Sequence, residues 1–153
     1  MNRLELRIPP PAIMLVAGGI MWLLSASFPG LAVSWDFSLI VAVALALLGV
    51  VVSLAGMAIF RRSGTTADPR QPAQASALVV SGIYGYSRNP MYLGILLILV
   101  GWAVFLGNPL SVLLLVAFVC YITRYQIVPE ERLLQEKFAD EFSAYKTKVR
   151  RWL

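Results

Sequence analysis

Four long apolar runs, at residues 12–28, 38–60, 91–106 and 110–128, decide what this chain can become. Backbone polar groups in a bilayer must be bonded within the segment itself, which leaves helices as the form such runs take. A hydrocarbon core needs roughly 20 helical residues, so the shorter runs are expected to tilt or to thin the bilayer locally. The chain has 153 residues, 59% of them hydrophobic and only 14% charged, which is too apolar for a soluble domain of this size. The expectation is one all-α integral membrane domain over residues 1–153, with four transmembrane helices and a C-terminal interfacial amphipathic helix.

Charge fixes the expected orientation. Of the thirteen Lys and Arg, Arg3 and Arg7 precede the first run, and Arg61, Arg62, Arg70 and Arg88 separate the second from the third. Arg124 and the remaining six fall at the end of the fourth run or beyond it. The turns at 29–36 and 107–109 carry none. Positive charge thus gathers on one side, which predicts a cytoplasmic-membrane protein with both termini and the long middle loop in the cytoplasm. Cys120 stands alone inside an apolar run and histidine is absent. Disulfides, cysteine metal sites and histidine-based triads are thereby excluded. No metal or nucleic-acid partner is expected; membrane lipids are.

Residues 1–28 superficially resemble a signal peptide ending in Ser25-Ala26-Ser27, but Pro9-Pro10-Pro11 reads better as the entry to a first span. Ala42, Ala46, Gly49, Ser53 and Gly56 share one face of the second span, and Gly94 and Gly101 one face of the third, as close helix packing in lipid requires. Gly107-Asn108-Pro109 predicts a tight turn joining the third and fourth spans. The loop between Arg61 and Ser87 is long enough to suggest a functional element folded over the membrane face, and its apolar end at 77–80 is expected to dip into the interface. From about 130 to 149, Leu133, Leu134, Phe138, Phe142, Tyr145 and Val149 recur at helical spacing, with Trp152 continuing the series. Glu136, Lys137, Asp140 and Lys146 lie mostly away from them, the pattern of an amphipathic helix at an interface.

Two short stretches stand out as halves of one site. In the first, from Ser81 to Gly94, Gly82 and Gly85 permit a tight turn or close approach, Asn89 is placed to cap a helix through its side chain, and Pro90 suits its first position. The second is Pro129-Glu130-Glu131-Arg132. Pro129 lacks an N–H, so a break or bend in the fourth helix should free the Tyr125 carbonyl. Arg124 and Glu131 are spaced for roughly one helical face. Charges near hydrocarbon cost about 2.5–3.5 kcal/mol each, so pairing or function is expected. Taken singly, each residue also has a plain structural account: helix-dipole complementation for Glu130 and Glu131, snorkelling for the arginines, an aromatic belt for the tyrosines.

As an ordered set, Gly82-Ile83-Tyr84, Arg88-Asn89-Pro90-Met91-Tyr92-Leu93-Gly94, Pro129-Glu130-Glu131-Arg132-Leu133-Leu134, Phe138, Tyr145 and Arg150-Arg151-Trp152 resemble the isoprenylcysteine carboxyl methyltransferase and phospholipid methyltransferase superfamily. Thr65-Thr66, Pro69, Pro72 and Leu78-Val79 resemble its small bacterial members, and the likeness runs from Arg61 to the C-terminus. Two positions depart from it: Asn89, where the eukaryotic enzymes carry His, and Ala139, where Gly is usual. The resemblance implies S-adenosyl-L-methionine as methyl donor, S-adenosylhomocysteine as product, and a lipophilic small-molecule acceptor entering from the bilayer. It implies Gly82, Tyr84, Arg88, Asn89, Pro90, Tyr92, Glu130, Glu131 and Tyr145 as cofactor-binding residues, and Arg88, Glu131 and Arg124 as candidate catalytic residues. Glu130 and Glu131 suit the donor's positive groups and Arg88 its carboxylate. The acceptor nucleophile, whether carboxylate, thiol or amine, stays open, as does the oligomeric state. Two rival readings are an NADPH-dependent reductase of the sterol-reductase type and a non-enzymatic tetraspan packing or transport subunit.

Overall fold

The computed structural model describes residues 5–63 and 77–153, and Arg3 and the loop residues Thr65, Thr66, Pro69, Arg70 and Pro72 lie outside them. The described residues form helices and turns, without strands. Helix α1 spans Pro10–Ser27, α2 Ser38–Arg62, α3 Pro90–Leu106, α4 Leu110–Ile122 and α5 Val128–Lys148. A 3₁₀ turn at Gly82–Gly85 precedes α3, and a π turn at Thr123–Ile127 joins α4 to α5. Helices α1 and α2 are long and apolar enough to cross a membrane, as is the continuous run Leu110–Lys148. Helix α3, with 17 residues, is shorter; at about 1.5 Å per residue it rises about 25 Å, less than a typical hydrocarbon core.

Prolines set the helix starts. Helix α1 opens with Pro9 at its cap and Pro10 and Pro11 next, and α3 opens on Pro90, where a missing N–H does no harm. Asn89 does occupy the cap position of α3, but its side chain makes no cap bond. Its Nδ2 instead donates to the Arg151 carbonyl at 2.9 Å, because the C-terminal tail lies close enough to compete for it. Helix α3 ends at Gly107, whose φ of 62° is a left-handed cap. Asn108 Oδ1 accepts the Leu110 N–H and its Nδ2 donates to the Phe28 carbonyl, so the expected α3–α4 turn is also pinned to the end of α1.

Small residues make the α2–α3 contact. A Cβ added at Gly94 would strike the Gly49 carbonyl and Ser53, and one at Gly101 would come within 2.6 Å of the Ala42 carbonyl. Larger side chains fill the other side of α3, where Met21, Leu99, Phe118, Ile122 and Ile127 are buried together with Tyr92 and Ala17. Large apolar residues such as Leu15, Leu47, Val51 and Leu113 remain exposed, as lipid-facing helix surfaces require.

The fourth helix is not broken at Pro129. It passes through the π turn directly into α5, and the Val128 N–H bonds the Thr123 carbonyl five residues back. The bend comes later, at Ala139, whose φ of 34° and ψ of −104° interrupt α5. A straight helix would part Glu131 and Arg151 by about 30 Å, yet their side chains meet at 2.7 Å. The single amphipathic helix expected over 130–149 is therefore two segments folded back on each other. Phe142, Tyr145 and Val149 of the second segment pack with Leu134, Phe138 and Leu78. The apolar end of the middle loop is covered through Leu78 by this cluster, so protein supplies part of the cover assigned to the interface.

Candidate active site

Three chain segments meet at the start of α3. The Arg88 N–H donates to the Arg150 carbonyl at 3.0 Å, and its Nη1 donates to the Val149 carbonyl at 2.7 Å. Its Nη2 meets Glu131 Oε1, also at 2.7 Å. Glu131 simultaneously accepts Arg151, with Nε at 3.1 Å and Nη2 at 2.7 Å. One carboxylate thus holds two guanidiniums, one from the turn before α3 and one from the C-terminal tail. Burial alone would raise the Glu131 pKa, but the hydrogen bonds and charges of Arg151 and Arg88 outweigh it and leave the pKa below the ordinary value. The same pairing raises the Arg151 pKa.

Glu130 has a different environment. Its Oε1 accepts the Tyr92 hydroxyl, joining α5 to α3. Lost hydration pushes its pKa up to about 8; the Tyr92 bond works against that rise and the charge of Glu131 adds to it. Adjacent carboxylates in sequence are in this way separated chemically, one fixed as an anion and one ready to exchange a proton near neutrality.

Tyr145 donates its hydroxyl to the Tyr84 carbonyl at 2.6 Å, and burial raises its pKa to about 12. Tyr84 packs edge-on against Phe60 with ring centroids 5.1 Å apart. Burial, with smaller contributions from Tyr145 and Glu130, drives its hydroxyl pKa well above the usual range. Two polar atoms here are buried without a hydrogen-bond partner among the described residues: the Tyr84 hydroxyl and Arg88 Nε.

Arg88, Glu131, Asn89, Pro90, Tyr84, Tyr92, Glu130 and Tyr145 are thus assembled at one end of the bundle. Gly82 is there too, at φ 60°, but a Cβ on it would lie 2.6 Å from Ile59 Cδ1. Its close approach is to α2. Gly85 has no such neighbour. Arg124 stands apart from the cluster, 55% exposed and 3.4 Å from Glu5. The π turn explains the divergence, since an extra residue between Arg124 and Glu131 takes them off a shared face. Sequence reasoning passed over Arg151 as a site residue, although it lies in the Arg150-Arg151-Trp152 motif. It also passed over Ser87, 1% exposed, whose Oγ accepts the Asn89 N–H at 3.1 Å.

An apolar groove of about 650 Å³ opens between α1, α2 and α3, lined by residues that include Gly18, Trp22, Ala42, Ile98 and Trp102. Ile98 lies about 9 Å of helical rise beyond Tyr92, so the groove begins deeper along the spans than the charged cluster.

Residues 37–141 match a family model described as phospholipid methyltransferase. An uncharacterized protein of Haemophilus influenzae is 51% identical over 63 residues, 41% of this chain and all of that protein. The protein-S-isoprenylcysteine O-methyltransferases of Saccharomyces cerevisiae and Schizosaccharomyces pombe are 38% and 36% identical over 72 residues, 47% of this chain. Those matches cover only 30% of each yeast protein. No solved structure matches the chain.

Proposed function

The chain belongs to the phospholipid methyltransferase family, and on that premise we propose that it uses S-adenosyl-L-methionine to methylate a lipophilic or small membrane-partitioned acceptor at the cytoplasmic membrane face. The observation that carries the reading is the pairing of Glu130 with Tyr92 beside the Arg88–Glu131 ion pair, at the mouth of α3.

The chain's residues fit such a donor. Among the described residues the buried Arg88 Nε has no partner and suits a carboxylate, and the buried Tyr84 hydroxyl likewise has unused capacity. Glu131 is engaged by two guanidiniums, so Glu130 is the acid left to stabilise positive groups of the donor. Glu131 then serves by holding Arg88 in place. Bound S-adenosyl-L-methionine supplies an electrophilic methyl group on a sulfonium. Tyr92 reaches the site through its hydroxyl, bonded to Glu130, and the packed C-terminal segment keeps water away. Alignment of this kind can supply about 7–11 kcal/mol of a displacement barrier in favourable cases. An amine or thiol acceptor would hand its proton to Glu130. The asymmetry of Lys and Arg supports a cytoplasmic site with both termini on that side.

Purified protein with S-adenosylhomocysteine at 100 times its dissociation constant should gain about 2.7 kcal/mol of stability. Absence of any thermal shift would count against the donor, and displacement of S-adenosylhomocysteine by NADPH would favour the reductase reading.

A further inference from the structure

Pro129 carries no N–H, so the α-helical bond to the Tyr125 carbonyl cannot form. That carbonyl accepts the backbone N–H of Leu6 at 3.0 Å. Two further contacts join the same stretches. Gln126, fully buried, donates Nε2 to the Ile8 carbonyl at 2.8 Å. Glu5, also buried, faces Arg124 at 3.4 Å and Arg132 at 3.7 Å. Leu6 is 7% exposed and holds φ at 58°, a left-handed conformation that a residue with a Cβ resists. A segment kept in that conformation, with polar contacts at three residues, is docked.

It is docked on the π turn, and that turn matters to the site. A π turn inserts one residue and rotates the helix beyond it by about 100°. With the rotation, Glu130 meets Tyr92 and Glu131 meets Arg88. Without it, both carboxylates would swing off α3. The other end of the chain touches the same turn, where Trp152 Nε1 donates to Thr123 Oγ1 at 3.3 Å.

We propose that residues 5–8 form a positioning strap that holds the π turn and so sets the register in which Glu130 and Glu131 face α3. The strap deepens the methyl-transfer reading and relies on it for its ligand readout. It makes Glu5 and Gln126 positioning residues, acting through the turn and not on substrate.

The test uses the full chain in detergent micelles, with Gln126→Leu and Glu5→Ala made separately and Glu5→Gln as the conservative partner. Amide hydrogen exchange is monitored across 124–132 and across α2, and S-adenosylhomocysteine affinity is measured for each protein. The expected result is exchange at least tenfold faster in 124–132 with α2 unchanged, and affinity at least tenfold weaker. Glu5→Gln, which keeps an acceptor for Arg124, should recover most of both. Unchanged exchange in both variants overturns the strap, and so does faster exchange with unchanged affinity. If the wild-type protein binds no S-adenosylhomocysteine, the donor reading has failed and exchange alone decides the strap.

Discussion

Glu131 and Arg151 lie twenty residues apart, one near the start of α5 and one beyond its end, yet their side chains form two hydrogen bonds, of 2.7 and 3.1 Å. Arg88 completes the group, its Nη2 sharing Glu131 Oε1 with Arg151 Nε. Side-chain exposure is 11% for Arg88 and 15% for Glu131, but 38% for Arg151, so the two guanidiniums depend on the acid unequally. Removing one partner of a buried pair costs about 3–5 kcal/mol, whereas exposed pairs contribute about 1 kcal/mol or less. Glu131→Gln should therefore lose about 3 kcal/mol, and Arg151→Ala about 1 kcal/mol, in reversible unfolding in mixed micelles. Equal losses from the two would mean that the more exposed Arg151 holds the carboxylate as firmly as both guanidiniums together.

Ala139 is the bend that lets this pairing occur, and its φ of 34° is one that glycine adopts freely and alanine does not. The carbonyl at the bend is bonded by Gln135 Nε2 at 2.8 Å and Ser143 Oγ at 3.0 Å, so the conformation is held from both sides. Ala139→Gly should stabilise the protein by about 1 kcal/mol, the order of the left-handed penalty removed. Ala139→Val should destabilise it. A thermal melt of the three proteins settles the order, and a glycine variant that melts lower would mean the bend is not strained.

Much of the architecture was legible because it rests on periodicity. The apolar runs marked helices α1 to α4 to within about two residues at most ends, and the small-residue faces of α2 and α3 named Gly49, Ser53, Gly94 and Gly101 as contacts. The union of Arg88 with Glu131 was legible as two motifs placed on one membrane face. What could not be read was the count of residues per turn. Nothing in Thr123–Ile127 announces a π turn, and that one extra residue separates Arg124 from the site. Nor did any pattern indicate that Asn89 would choose a carbonyl in the tail over its own helix. Both positions touch a chain end, Asn89 the C-terminal tail and the π turn Leu6 and Trp152, and local spacing does not encode such contacts. Ala139 was visible as a departure from the family's usual glycine, but its meaning required the backbone angle.

The α2–α3 seam yields a sharper stability test. At Gly94 an added Cβ meets backbone and Ser53, neither of which can yield cheaply, whereas at Gly19 it meets nothing within 4 Å. Overpacking costs about 1–3 kcal/mol when neighbours can shift, and rigid backbone puts Gly94→Ala at the upper end. Gly94→Ala should thus lose about 3 kcal/mol and Gly19→Ala should be close to neutral. Because α3 carries Tyr92 and adjoins Arg88, the Gly94 variant should also lose S-adenosylhomocysteine binding. A neutral Gly94→Ala would mean the helices stand further apart.

Glu130 makes the pH prediction. Its folded pKa is raised to about 8 from an ordinary value of 4.5, so the folded state binds the extra proton between those limits. Stability from this group is then fully present below about pH 4.5, falls as pH rises, and levels off above about pH 8. The slope is at most about 1.4 kcal/mol per pH unit. Glu131 moves the opposite way: its depressed pKa confines its own loss to acid below the ordinary carboxylate range, leaving the interval from about 5 to about 8 to Glu130. Melting temperature should therefore decline from about pH 5 to about pH 8 in the wild-type protein, and Glu130→Gln should flatten that decline. Binding of S-adenosylhomocysteine, which on the proposed reading wants Glu130 ionised, should strengthen over the same interval in wild type only. A parallel decline in melting temperature for both proteins would mean the titrating group lies elsewhere, and would remove Glu130 as the acid that meets the donor.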